Sequence, residues 1–500
     1  MPEILQAAHP ATVAVLLAGY ALCAALIWLA GIRALTLWGL SYRMRRSAAA
    51  RSAMARAAAV RPAVASSTAR VALLYCVADD FAPAALRTSM RQSVPVTTVI
   101  LDDSRDARSR CRIDAFAAEH LVTVIRRENR TGYKAGNLNH ALRRLRGQFD
   151  AYVVLDSDTA LPHGFVAAAA TQLFADDVLA VVQAVPDAAG TTGTTLFARV
   201  FGPLVHAHAL ANHLPRSRAG LPMFIGRGAL IRAAALEAVG GVPETVAEDL
   251  ALSVALRAAG WRIAIRPDLR FTETYPVDYA AFRTQVGKAA EGAAEFLRSG
   301  VLRAARLRER IDALVETALL PAGALAGLGL MVTGALLGAA GIVVPALLTG
   351  ATVLVALMPL LPATVATLRR HGVVPAAIFL AAASAVYGSV ALLTLRHTAA
   401  VLRGQRAVFT VTPKSASRAR PVAAVAELRR ELLVALVAVP AAAAWHAPAL
   451  ALGFLAPTVV AATLLLARRR PVTASPVHRP VHRIRHRRRT LPAAPLPTVH

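Results

Sequence analysis

The chain has 500 residues, 56% of them hydrophobic, and its 56 Lys and Arg against 29 Asp and Glu give a formal net charge of +27. With a mean hydropathy of +0.50 it is too apolar for an ordinary soluble protein, which leaves an integral membrane protein. Much of the basic excess lies beside apolar segments, where the positive-inside rule accounts for it without a nucleic-acid partner.

Residues 11–31 are long enough to span a bilayer, and the arginines come after them, at Arg43, Arg45, Arg46 and Arg51. The amino terminus is therefore expected outside and the following chain in the cytosol. Cys23, Cys76 and Cys111 are odd in number and without metal-ligand spacing, which fits a reduced compartment. The predicted division is a membrane helix over 1–40, a basic Ala/Arg/Ser-rich connector over 41–69, and an α/β domain over 70–277. Interfacial amphipathic helices follow over 278–312, then a membrane region over 313–467 and a basic tail over 468–500.

Within the α/β domain, apolar runs at Val71–Val77, Val96–Leu101, Leu121–Ile125, Tyr152–Leu155 and Val178–Val182 alternate with amphipathic stretches. The pattern predicts a mostly parallel sheet covered by helices. Acids recur at its strand ends: Asp79 and Asp80, Asp102 and Asp103, Asp156 and Asp158. In open α/β sheets such ends face the ligand crevice. Asp156 and Asp158, one residue apart, suit a hard cation such as Mg²⁺ or Mn²⁺, which takes its remaining ligands from water and phosphate. Lys134, in Tyr133-Lys134-Ala135-Gly136-Asn137, can face a phosphate or belong to a plain helix start. Glu248 and Asp249 open an apolar helix. They serve either the helix dipole or catalysis, with Asp249 as general base.

Residues 278–312 read as a helical pair on the inner membrane surface. Spans are expected near 314–338, 342–362, 430–446 and 448–467. The stretch 373–395 is flanked by basic residues on both sides and is expected to lie in the inner interface, giving five crossings. The tail, rich in Pro, Arg and His, suits contact with anionic membrane lipids. It has no aromatic platform for a nucleic acid. His206, His208 and His213 read as an ordinary polar helix face and are left out of the metal site.

Several motifs stand in a telling order: Asp102-Asp103, Asp156-Ser157-Asp158, Ala247-Glu248-Asp249, Gln285-Val286-Gly287-Lys288-Ala289 and Phe409-Thr410-Val411-Thr412-Pro413-Lys414. Together they resemble the membrane-embedded family 2 glycosyltransferases, particularly the cellulose synthase-like branch. The resemblance implies an α/β GT-A catalytic domain inserted between transmembrane helices, binding a UDP-sugar or similar nucleotide sugar. It puts Asp79, Asp80, Asp102, Asp103 and Lys134 by the nucleotide and Asp156 and Asp158 on metal and diphosphate. Gln285 and Lys288 would sit beside diphosphate and acceptor, and Asp249 would be the base of an inverting transfer. Phe409, Val411, Thr412 and Lys414 resemble a cytosolic gating loop, within residues 404–416.

Three departures stand out: Ala247 for threonine, Lys288 for arginine, and Ala289 for the tryptophan under the acceptor sugar. The first expectation is thus an enzyme of the plasma or inner membrane that extends a β-linked glycan, with translocation across the membrane. Partner envelope proteins could complete its channel. The alternatives are single transfer to a lipid carrier or short acceptor, which the missing tryptophan favours, and a non-catalytic envelope scaffold.

Overall fold

A computed structural model describes residues 10–57 (side chains to 47), 69–187, 195–408, 412, 426, 428–444, 458–461 and 463. A long helix, α1 (Pro10–Ala57), precedes the α/β domain. The domain begins with β1 (Val71–Val77), α2 (Pro83–Met90), β2 (Thr97–Asp102), α3 (Ala107–His120), β3 (Thr123–Arg126) and α4 (Tyr133–Arg144). It continues with β4 (Ala151–Asp156), α5 (Phe165–Phe174), β5 (Leu179–Asp187), α6 (Leu196–Phe201), α7 (Pro203–His208), a π-turn (Ala209–His213) and α8 (Leu214–Ala219). β6 (Ala229–Arg232), α9 (Ala233–Ala238), α10 (Glu248–Ala258) and β7 (Arg262–Thr272) complete it.

The strands form one mixed sheet in the order β3-β2-β1-β4-β6-β5-β7, with β6 antiparallel to both neighbours. This is the expected α/β architecture. Period-two alternation explains why β1 is buried on both faces: Leu73 and Tyr75 enter one core with Val153 and Leu155, while Ala72 and Leu74 enter the other with Tyr152 and Val154. The five expected strands all form. β6 escapes a hydropathy reading because it has only four residues. β7 escapes because it is a basic edge strand that bulges around Pro267, as edges commonly do.

After the sheet come α11 (Tyr279–Arg298), a 3₁₀ turn (Val301–Ala304), α12 (Leu307–Ala339), α13 (Ala346–Ala356), α14 (Leu361–His371), α15 (Val373–Gly388), α16 (Ala391–Leu402) and α17 (Arg429–Ala444). Among the described residues, four helical stretches are long and apolar enough to cross a membrane: Pro10–Ser47, Leu307–Ala339, Ala346–His371 and Val373–Leu402. The second helix of the expected interfacial pair is not separate, because Leu307 starts an uninterrupted helix that runs to Ala339. The stretch expected to lie in the interface is as long and apolar as the others, and its carboxyl half, α16, packs along α11. Most of 448–467 and the whole tail lie outside the described residues.

Candidate active site

Parallel pairing sets the strand-end acids at one level. Asp156 is in register with Cys76, and Asp102 with Val77, so the chain leaves β1, β2 and β4 on the same edge of the sheet. Connectivity leads from β1 outward to β2 and β3, then back to β4 on the other side of β1. That reversal is the topological switch point where such sheets hold ligands. A cleft of about 600 Å³ opens there. Asp79, Asp80, Asp103, Lys134, Asp156, Asp158, Gln285, Lys288 and Thr412 all line it. Nine of the sequence-predicted residues are thus gathered from loops, helix and sheet into one crevice, with Thr412 as the one described member of the expected gating residues. Phe409, Val411 and Lys414 lie outside the described residues.

Asp79 adopts a left-handed backbone, φ 65°, and its carboxylate accepts the N–H groups of Arg105 (2.8 Å) and Asp106 (2.9 Å). Asp80 accepts from Ala78 N–H and from the Ser157 hydroxyl, tying the first strand's loop to the Asp156–Asp158 loop. Asp103 is gripped by both arms of Arg127 at 2.6–2.9 Å. Asp102 differs from expectation. It is buried, receives Arg126 Nε at 2.7 Å and Ser104 N–H at 2.8 Å, and faces away from the cleft lining. Asp102 is the last residue of β2, whereas Asp103 follows the strand and lines the cleft.

Lys134 Nζ lies 2.5 Å from Asp156 Oδ1 and donates to the Gly226 carbonyl at 2.7 Å. Burial opposes its charge, yet the Asp156 carboxylate holds its pKa above the ordinary lysine value. Across Gly226 sits Asp249: a Cβ on that glycine would lie 3.6 Å from Asp249 Oδ2 and 3.8 Å from Lys134 Nζ. Glu248 and Asp249 stand behind the cleft lining, at the start of α10. Burial, then the Asp249 charge, pushes Glu248 up to about 7. Burial also raises Asp249, with partial relief from Leu250 N–H, Lys134 and Arg227. Burial lowers Lys288, opposed by Asp156 and Glu248.

Arg227 was not legible as a site residue. It lines the cleft, bonds Glu273 through Nε, and lies 3.8 Å from Asp156 Oδ2. Burial works against its charge, but Glu273, then Asp156 and Asp158, raise its pKa. The signal was local: Gly226-Arg227-Gly228, with both glycines at positive φ, presents an arginine on a backbone that only glycine tolerates well, and a Cβ on Gly228 would strike the Phe271 ring. Burial pushes the Cys76 thiol in the lining up to about 12, so it stays protonated and is no nucleophile at neutral pH.

Asp158 Oδ2 accepts from Thr274 N–H at 3.1 Å. Among the described residues no three His, Cys, Asp or Glu side chains form a metal cage. The donor set is therefore two strand-end carboxylates. That chemistry fits a hard divalent cation completing its shell with phosphate and water. His206 bonds the Pro186 carbonyl at 3.0 Å, and burial pushes His213 down to about 3.

Comparison with known proteins places this site in context. Residues 83–290 match the family model "Glycosyltransferase like family 2". Glucans biosynthesis glucosyltransferase H of Rhodopseudomonas palustris is 27% identical over 251 residues, covering 43% of this chain and 34% of that protein. The probable glucomannan 4-beta-mannosyltransferase 15 of Arabidopsis thaliana is 30% identical over 207 residues, covering 40% and 38%. The chain thus spans little more than a third of the length of these relatives. Among solved structures, the mannosyltransferase PcManGT from Pyrobaculum calidifontis, in complex with GDP-Man and Mn²⁺, overlaps 78% of this chain and 98% of its own at 20% identity, TM-score 0.48. The matched stretch, 83–290, runs from the helix after β1 to the lysine-bearing turn of α11, and there the chain is similar to the family 2-like glycosyltransferases.

Proposed function

We propose that the protein is a membrane-bound glycosyltransferase that moves a hexosyl group from a nucleotide sugar, UDP- or GDP-linked, to a β-linked glycan or lipid-linked acceptor on the cytosolic side. The observation that carries this reading is that Lys288 and Gln285, on a helix beside the membrane segments, line the same cleft as Asp156 and Asp158. The relatives' names, a glucosyltransferase and a mannosyltransferase, favour glucose or mannose.

In this reading an acceptor hydroxyl attacks the anomeric carbon as the bond from that carbon to the diphosphate breaks, inverting the centre. Asp249 takes the hydroxyl proton, and burial, by raising its pKa, makes it a stronger base than an exposed aspartate. Lys134, Arg227 and Lys288 bring positive charge to the departing diphosphate. Asp156 and Asp158 would hold a divalent cation, which adds charge neutralisation when bound. Thr412 marks where a loop reaches the cleft, and closure there would exclude water and limit donor hydrolysis.

The test is nucleoside diphosphate release by the nanodisc-embedded chain from a panel of UDP- and GDP-hexoses. Release for one donor, lost in Asp249→Asn and on chelation, is expected. Folded protein that turns over no donor with any acceptor would overturn the proposal and favour the scaffold reading.

A further inference from the structure

Two more cavities continue from the cleft toward the membrane helices. The first, about 440 Å³, lies between α11, α16 and the start of α17 and shares Lys288 with the cleft. Arg283, Arg396, Arg429 and Arg430 line it beside Lys288, and among the described residues its acids are Glu291 and Glu431. Both acids are already engaged. Glu291 receives His397 Nδ1 at 2.6 Å and Val408 N–H at 3.1 Å, and Glu431 receives Arg283 at 2.7 Å. Arg396 lies within electrostatic reach of Arg430, Arg283 and Arg429, with Glu431 opposing them. Arg429 and Arg430 also open a helix, where positive side chains oppose the macrodipole. Such an arrangement calls for an anion.

The second cavity, about 490 Å³, shares Glu431 with the first and runs between α12, the end of α13, α15 and α16. Gly323, Gly327, Leu328 and Met331 form one wall. Three of its hydroxyls are bonded within the protein: Ser384 to Leu380 O, Thr394 to Val390 O, and Ser389 to Tyr279 and Val386 O. A hydrated glycan would leave its own hydroxyls unpaired there, which is costly. A hydrocarbon chain would not. The aromatic platform for a sugar is also missing, since Ala289 is exposed at that place on α11.

We infer that the basic vestibule and the apolar cavity together form the binding site of the acceptor's lipid anchor, a long-chain lipid phosphate. The phosphate sits among Lys288, Arg396 and Arg430, the chain enters the cavity at Gly327, and the attached acceptor group passes Lys288 into the cleft. The inference rests on the transferase reading and names its acceptor class. The transfer step is the one given above, with the hydroxyl on the anchored saccharide.

The experiment measures binding of labelled polyisoprenyl phosphate to the full chain in phosphatidylcholine nanodiscs. The competing arms are polyisoprenol of equal length, phosphatidylglycerol and inorganic phosphate. Polyisoprenyl phosphate is expected to bind at least tenfold more tightly than any of them. The double change Arg396→Ala, Arg430→Ala is expected to weaken it about tenfold, and so is Gly327→Phe, whose new side chain starts in open space within the cavity. Equal binding of polyisoprenol or phosphatidylglycerol would reduce the site to a general lipid surface. Displacement by inorganic phosphate with no effect of Gly327→Phe would reduce it to a simple anion site. Either result overturns the inference. Donor turnover on the same samples separates the two levels: turnover without lipid discrimination removes only the anchor, and discrimination without turnover removes only the transferase.

Discussion

Asp249 and Glu248 sit side by side at the first turn of α10, and burial raises both. In the proposed mechanism Asp249 must be ionised to act, so the rate falls as pH drops through its raised pKa. A kcat/KM profile should therefore show an acid limb above the ordinary aspartate range. Glu248, pushed up to about 7, is already neutral across such a limb, so Glu248→Gln should leave it in place. A limb lost in Glu248→Gln would mean that Glu248 is the titrating group. Asp249→Asn should lower kcat by roughly 10²–10⁴-fold, the usual contribution of a general base. Arg227 offers a second test. Its removal leaves Glu273, 5% exposed, without its cation. Arg227→Gln should cost about 3 kcal/mol, the low end for breaking a buried pair because the arginine itself is a quarter exposed; thermal unfolding in detergent measures it.

At the scale of elements, β4 carries the metal-type carboxylates and is held by its own apolar residues. Leu155, completely buried, is the last core residue before Asp156. Leu155→Ala should cost roughly 2–5 kcal/mol and raise the donor KM by loosening the strand end. An unchanged unfolding midpoint would show that the core tolerates the gap. α11 connects the cleft to the membrane helices, and its close approach to α16 depends on Gly287: a Cβ there would lie 3.2 Å from the His397 ring. This is why the Gln285–Lys288 turn can face the cleft while its opposite side rests on α16. The turn was readable as a motif, but its second role, as a wall shared by two cavities, was not.

Across the whole molecule, a charged cluster fastens the α/β domain to the long apolar helices. Arg216, fully buried on α8, reaches Asp312 on α12 at 2.7 Å, and Arg33 on α1 reaches Asp312 at 3.1 Å and Glu316 at 2.8 Å. Asp312 also accepts Leu221 N–H at 2.9 Å. Asp312→Ala leaves Arg33 and Arg216 sharing Glu316 alone and should destabilise the chain by about 3 kcal/mol, the low end for a broken buried pair. Hydrogen exchange should show the loss first in α8, while the β1–β4 core stays protected. Uniform loss across the sheet would mean that the cluster supports the whole fold rather than the junction.

Apolar runs such as Val71–Val77 determined the strands, because a segment buried on both faces must be apolar throughout. The acids after them determined the crevice, because strand ends carry ligand-facing loops. Apolar length determined which segments suit a bilayer. Tertiary structure decided the partners. Arg227 meets Glu273 and Asp156, Lys134 takes Asp156, and Asp102 turns away to Arg126. Those pairings follow from the sheet order and from β6 entering antiparallel between β4 and β5. Hydropathy encodes whether a residue is buried. It does not encode which distant charge lies opposite once the strands are arranged.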